Sequence, residues 1–392
     1  MGRQLHTNQP DAEPIAADSV AEAVSRPPAV TFASLSVTYR RGRATITALA
    51  DFTLRVAAGE TVVLLGPDGA GKSTVAKALA GMVQPSRGRI LLGDRDVTDL
   101  PPANRSVGIV SNSFAVFPNM RVADNVAVAL KARGYRRAEV AARVDEALDI
   151  VGMRSCAKLL PRELSGAQQR RVAIASALVV KPAVLLLDEP LAALDARSRH
   201  SALTELRQLR TAFGETAMLY TTQDRHEALA LADRIAIMRE TRLVDVDTAE
   251  RLWDQPPSSF AATLLGAANL IACTVGRVYG NSALVAVGDR MLSALAHPSS
   301  TGAPRWAPGS PAYLCIRPHD IDVCSPTDSG ALPARVTDSV WRGTVTRLTL
   351  AVDGIAAQPL RADVTGRAIY LVGARVGVKL PPASCALVER DD

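Results

Sequence analysis

The chain has 392 residues, of which 48% are hydrophobic and 4% aromatic, with a formal net charge of +6. That length exceeds one ordinary domain, and that apolar content excludes a disordered chain. The basic residues are scattered and stacking aromatics are few, which excludes the basic stripe of a nucleic-acid binder, so no nucleic-acid partner is expected.

Residues 1–28 are polar, partly acidic and end in Pro27-Pro28. They lack the apolar middle of a signal peptide and are predicted to be a disordered tail. No apolar stretch is long enough to span a bilayer, so any work at a membrane must go through a partner. From Val30 to about Gly266, short apolar runs alternate with helical stretches. Thr61-Val62-Val63-Leu64-Leu65 and Val184-Leu185-Leu186-Leu187 are continuous apolar runs, as in strands of a parallel sheet buried on both faces. Residues 138–151 put Val140, Val144, Leu148 and Val151 on one helical face, with Gly134 and Gly152 as breakers. An α/β domain with a helical insertion is predicted over residues 29–266.

Past Ala267 the pattern changes. Leu284-Val285-Ala286-Val287, Tyr313-Leu314-Cys315-Ile316 and residues 345–350 are short strand-like runs between Gly, Pro and Ser clusters. A small all-β domain is predicted over residues 267–392, with room for two small barrels. Trp306 and Trp341 fall in it as core or barrel-edge residues. The five cysteines, Cys156, Cys273, Cys315, Cys324 and Cys385, form no CxxC pair. That argues against a disulfide framework or zinc site and fits a reducing compartment, with Cys315 and Cys324 as packing residues. His200, His226, His297 and His319 lack metal-ligand spacing.

The chemistry sits in three motifs. Gly66-Pro67-Asp68-Gly69-Ala70-Gly71-Lys72-Ser73-Thr74 matches the phosphate-loop pattern GxxxxGK[ST], after a predicted strand and before a predicted helix. Its glycines let backbone N–H groups turn toward phosphate oxygens, and the helix start adds a favourable dipole. Lys72 is expected to neutralise the β- and γ-phosphates of ATP, and Ser73 to hold Mg²⁺. Leu187-Asp188-Glu189-Pro190 ends the second buried run; Asp188 is expected to complete the Mg²⁺ shell and Glu189 to polarise the attacking water. The third motif is Leu164-Ser165-Gly166-Ala167-Gln168-Gln169.

This last motif resembles the LSGGQ signature of ATP-binding cassette (ABC) ATPases, and the resemblance covers nearly the whole chain. It implies a phosphate-loop ATPase core with a helical subdomain, followed by an OB-like β domain of the TOBE type. It further implies a nucleotide held between two subunits, with Ser165, Gly166 and Gln168 of one facing the γ-phosphate bound by the other. Tyr39 stands where the family places an aromatic against adenine, and Leu191-Ala192-Ala193-Leu194-Asp195 resembles the loop that crosses the dimer interface. Family members with this layout are importer subunits at the cytoplasmic face of the plasma membrane. They act with membrane permease subunits, a second ATPase subunit (a homodimer is expected here) and a solute-binding protein. Asp96-Val97-Thr98-Asp99-Leu100-Pro101-Pro102, Ala268-Asn269-Leu270 and Leu314-Cys315-Ile316-Arg317-Pro318-His319 look most like the importers of 2-aminoethylphosphonate.

Several positions depart from the family pattern. Asn112 stands where the family has a Gln that contacts Mg²⁺ and the attacking water; its side chain is shorter by about 1.5 Å. Gln223 stands where the family has a His that holds the γ-phosphate. It can donate a hydrogen bond but cannot become a cation or relay a proton. Ala167 replaces a glycine at a helix start, where no positive φ is needed, and Ala192 replaces a serine. ATP hydrolysis slower than in a fully equipped relative is expected. The alternative is a hydrolysis-impaired regulatory subunit that binds ATP and pairs with an active ATPase. A soluble cassette protein acting on ribosomes or DNA fits less well, because the chain has one phosphate loop and no heptad run.

Overall fold

The computed structural model describes residues 27–42, 44–111, 116–296, 305–355 and 358–391. The predicted tail before Pro27 and the candidate Asn112 lie outside the described residues. The chain divides into two compact units, Met1–Val244 and Asp245–Asp392.

The first unit opens with β1 (Pro28–Arg41), β2 (Ala44–Ala57) and β3 (Thr61–Leu65), then α1 (Lys72–Leu79), β4 (Arg87–Leu92), β5 (Arg95–Asp96) and β6 (Val107–Ser111). Three helices follow: α2 (Val122–Ala132), α3 (Arg137–Ile150) and α4 (Gly166–Leu178). The unit ends with β7 (Val184–Asp188), α5 (Ala196–Arg210), β8 (Ala217–Thr222), α6 (Arg225–Leu231), β9 (Arg234–Arg239) and β10 (Arg242–Thr248), the strand in which the second unit begins.

Two sheets result. One is antiparallel, in the order β2-β1-β4-β5. The other runs β10-β9-β3-β8-β7-β6, and its pairs β9-β3, β3-β8, β8-β7 and β7-β6 are parallel. β3 and β8 are buried along their whole length, which is why β3 runs apolar without alternation. The register aligns the carboxyl ends: Leu65 pairs with Thr222, Asp188 with Thr221, and Ser111 with Asp188. Open α/β sheets bind ligands at that edge.

Helices α2, α3 and α4 pack on one another. Val122, Val126 and Leu130 of α2, Val140, Val144 and Leu148 of α3, and Val172, Ile174 and Leu178 of α4 are buried. The ion pair of Arg171 with Glu205 ties α4 to α5.

The second unit holds α7 (Ala249–Asp254) and α8 (Ser259–Leu265), capped by Thr248 and Ser258. Then come β11 (Asn269–Tyr279), β12 (Ser282–Val287), β13 (Arg290–Leu295), β14 (Pro311–Ile316), β15 (Asp322–Cys324), β16 (Leu332–Trp341), β17 (Val345–Val352), β18 (Leu360–Thr365), β19 (Arg375–Lys379) and β20 (Ala386–Val388). One closed barrel, β11-β12-β13-β20-β14, stands beside a five-stranded sheet, β15-β19-β16-β17-β18. A single apolar cluster, including Ile271, Val285, Leu314, Val336, Leu348 and Val378, serves both.

The units part at 244/245, whereas the sequence reading set its boundary at 266/267. The intervening helices are tied to the β domain by Arg317, which is buried. Its guanidinium donates to Ala262 O at 2.7 Å and Trp253 O at 3.0 Å, and lies 4.2 Å from the Trp253 ring centre. A Cβ on Gly266 would come within 2.8 Å of that ring, so the chain passes only with glycine there. All five cysteines are free, and burial pushes the Cys273 and Cys315 thiols up to about 11 and Cys385 to about 12.

Candidate functional site

The site forms where β3, β7 and β8 end. After Leu65 the chain leaves the sheet at Gly66, where a Cβ would lie 2.4 Å from the Met238 carbonyl oxygen. Pro67, Asp68 and Gly69 are exposed at the loop tip, and Ala70 and Lys72 are buried. Gly71 has φ 101° and a Cβ there would lie 3.0 Å from Ala48 O. That backbone conformation is strained for any L side chain. The loop therefore presses on β2 and β9 and can curl tightly before α1. Thr74 N donates to Gly71 O at 3.0 Å as the helix begins.

Lys72 Nζ donates to Gly66 O at 2.9 Å and Pro67 O at 3.0 Å, and stands 3.5 Å from Glu189 Oε1. The buried ammonium is thus held inside the loop with a carboxylate beside it. Ser73 Oγ donates to Asp188 Oδ1 at 3.3 Å. A hydroxyl and a carboxylate side by side are hard oxygen donors, the set that suits Mg²⁺.

Glu189 follows β7 with φ 45°, a left-handed backbone that costs an L residue about 1–2 kcal/mol. Its N–H donates to Thr221 O at 3.2 Å and Thr221 Oγ1 at 3.0 Å. Gln223, just past β8, donates from Nε2 to Asp68 Oδ1 at 2.5 Å and to Glu189 Oε1 at 3.4 Å. The arrangement joins Asp68, Lys72, Ser73, Asp188, Glu189 and Gln223 in one cluster, although they come from three separate stretches of chain.

Other candidates stand elsewhere. Tyr39 is 40% exposed on β1 and pairs with Ile46, two residues before the Ala48 carbonyl that abuts Gly71. It is therefore near the phosphate loop with its ring open to solvent. Ser165 caps α4: its Oγ accepts from Gln168 N at 3.3 Å, and Gln168 Oε1 accepts from Ser165 N at 2.9 Å. That reciprocal box fixes the helix start, while Ser165 and Gly166 stay exposed. Ala167 lies inside α4, in right-handed helix, where a glycine has no conformational advantage. Asp195 caps α5, and hydrogen bonds from Ser198 and Arg197 hold its carboxyl below the usual range.

Two residues were missed from the sequence. Thr221 is fully buried and its Oγ1 donates to Asp188 Oδ1 at 2.7 Å. Glu227 is buried on the other face of β8 and accepts from Tyr220 OH at 2.8 Å and Thr222 Oγ1 at 2.7 Å. Burial pushes its carboxyl above the usual range, against the pull of those bonds. Alternation along a strand was the available signal: Tyr220 and Thr222 face Glu227, and Thr221 faces the opposite way.

Among the described residues, no helix is long and apolar enough to cross a membrane, and no group of three metal-ligating side chains is assembled. Residues 49–192 match the ABC transporter family and residues 314–388 the TOBE domain family. The chain is 43% identical over 297 residues to the Fe(3+) ions import ATP-binding protein FbpC 1 of Rhizobium meliloti, covering 76% of this chain and 81% of that protein. It is 41% identical to the corresponding FbpC of Agrobacterium fabrum, covering 81% of this chain and 86% of that one. A putative 2-aminoethylphosphonate import ATP-binding protein, PhnT of Salmonella typhimurium, is 38% identical over 344 residues, covering 87% of this chain and 91% of that protein.

Proposed function

Since this chain belongs to the ABC transporter ATPases, as an import ATP-binding subunit with a C-terminal TOBE domain, we propose that two copies close on two ATP molecules and reopen on hydrolysis to drive solute uptake. The observation that carries the reading is the cluster at the strand ends, with Lys72, Ser73, Asp188 and Glu189 within hydrogen-bond or ion-pair reach of one another.

In this reading the loop N–H groups of Gly66, Asp68, Gly69, Ala70 and Gly71 bind phosphate oxygens, Pro67, which has no N–H, shapes the turn, and Thr74 stands in the first turn of α1 behind them. Lys72 releases its carbonyl partners to neutralise the terminal phosphates. Tyr39 stacks on the base. Ser73 and Asp188 hold Mg²⁺, which when bound neutralises charge on the phosphates. Glu189 accepts a hydrogen bond from the attacking water and orients it. Gln223 donates to the γ-phosphate in place of a histidine. Ser165, Gly166 and Gln168 offer the start of α4 to the nucleotide of the second subunit. The exposed position of Ser165 and Gly166 supports that role. Asn112, at the position where the family has a Gln, is assigned by that resemblance to contact Mg²⁺ and the water.

The partners are a second ATPase subunit, membrane permease subunits and, through them, a solute-binding protein. The chain works peripherally at the cytoplasmic face of the plasma membrane. We place 2-aminoethylphosphonate first as cargo, on the stretches at residues 96–102, 268–270 and 314–319. Ferric iron is the second cargo reading, supported by the higher identity of the iron-import relatives. Uptake by cells lacking this subunit separates the two: loss of growth on 2-aminoethylphosphonate as sole phosphorus source supports the first, and loss only under iron limitation overturns it.

A second mechanism is favoured by Gln223 and Asn112: a hydrolysis-impaired subunit that pairs with an active ATPase. Glu189→Gln, expected to trap ATP, tests the closing step. ATP should double the mass of this variant in light scattering. A variant that binds ATP yet stays monomeric contradicts closure by two copies of this chain.

A further inference from the structure

We propose that Thr221 is a positioning residue for the reaction, fixing both the Asp188 carboxylate and the backbone of Glu189 through one hydroxyl. The inference rests on the ATPase reading above.

The geometry gives Thr221 Oγ1 two bonds with different purposes. It donates to Asp188 Oδ1 at 2.7 Å and accepts from Glu189 N at 3.0 Å. The hydroxyl is buried, so water cannot replace either bond. Among the described residues, Asp188 Oδ1 has one other hydroxyl donor, Ser73 Oγ, at the longer distance of 3.3 Å. When Ser73 turns to a metal ion, Thr221 is the donor left on that oxygen, and it keeps the carboxylate from rotating away.

The second bond acts on strain. Glu189 sits at φ 45°, and such conformations persist where surrounding bonds over-determine them. Two acceptors from one residue, Thr221 O and Thr221 Oγ1, share the Glu189 N–H. The hydroxyl thereby helps to aim the carboxylate that faces Lys72 and Gln223. Two positions further on, just past β8, the Gln223 amide donates to the Glu189 carboxylate, so Glu189 is held at its backbone by Thr221 and at its side chain by Gln223.

The test compares Thr221→Val, which keeps shape and removes the hydroxyl, with Thr221→Ser, which keeps the hydroxyl. Both are made in the full chain. The readouts are kcat, the Mg²⁺ concentration at half-maximal rate, Mn²⁺ retention in the ATP complex by electron paramagnetic resonance, and ATP affinity without metal. Thr221→Val should lose roughly tenfold in kcat, the size of one buried hydrogen bond to a charged group. It should also need more Mg²⁺ and retain Mn²⁺ more weakly, with metal-free ATP affinity unchanged, and Thr221→Ser should recover most of each loss. Wild-type kcat and metal dependence in Thr221→Val overturn the inference, as does an equal loss in Thr221→Ser, which would mark a packing role. A wild-type protein with no turnover would instead count against the ATPase reading, and Mn²⁺ retention would still decide the role of Thr221.

Discussion

Gln223 Nε2 donates a 2.5 Å hydrogen bond to Asp68 Oδ1, which joins the end of β8 to the tip of the phosphate loop. The same amide lies 3.4 Å from Glu189 Oε1. One neutral side chain therefore spans the phosphate loop and the Glu189 carboxylate. An amide supplies a donor but no proton relay. Gln223→His should raise kcat severalfold, and Gln223→Ala should lower it, both in steady-state ATP hydrolysis. A histidine variant no faster than wild type would mean that another step limits turnover.

The phosphate loop depends on backbone freedom at Gly71, where φ is 101°. Gly71→Ala adds a Cβ 3.0 Å from Ala48 O in a conformation that L residues avoid. Thermal melts should show a loss of roughly 1–3 kcal/mol, together with a much smaller stabilisation by added ATP. An unchanged ATP-induced shift would contradict the loop geometry.

Much of this was legible from the sequence. The runs at residues 61–65 and 184–187 read as buried strands because burial on both faces erases alternation, and the structure places strands there. The phosphate loop, Asp188 and Glu189 were legible because each motif is a contiguous stretch. Thr221 was not, because its contacts depend on the β7-β8 register, which pairs Asp188 with a residue 33 positions away. A β barrel was expected past residue 267, but the strand that closes it was not legible: β20, at the end of the chain, joins β13 to β14, and three residues carry no periodic signal. The attachment of α7 and α8 to the β unit was not legible, because Arg317 binds them through backbone carbonyls, which leave no trace in the sequence of those helices.

Arg317 should be costly to replace. Arg317→Met removes its bonds to Ala262 O and Trp253 O and leaves buried carbonyls unpaired. Urea unfolding followed by tryptophan fluorescence should show the second unit destabilised by roughly 2–4 kcal/mol. A change below about 1 kcal/mol would show that the apolar core alone holds these helices.

Asp245 makes stability depend on pH. Burial, opposed by the Val246 N–H bond and reinforced by Asp247, pushes its carboxyl up to about 6, and its Oδ2 is buried with no hydrogen-bond partner among the described residues. A raised folded-state value means that the folded protein holds this proton more tightly than the unfolded chain. The contribution is fully present below the ordinary value of 3.8 and is lost as pH rises through about 6. Asp245→Asn should therefore melt higher than wild type above pH 6, with the advantage vanishing near pH 4. An advantage independent of pH would contradict the account.

The most direct test of the central claim is Mg²⁺-dependent ATP hydrolysis by the purified chain, with Lys72→Ala as control. Lys72 sits inside the loop, bonded to Gly66 O and Pro67 O and facing Glu189, so its loss removes a buried cation from the loop. The account predicts slow turnover by wild type that disappears in Lys72→Ala. Tight ATP binding with no wild-type turnover, or turnover that survives in Lys72→Ala, would contradict it.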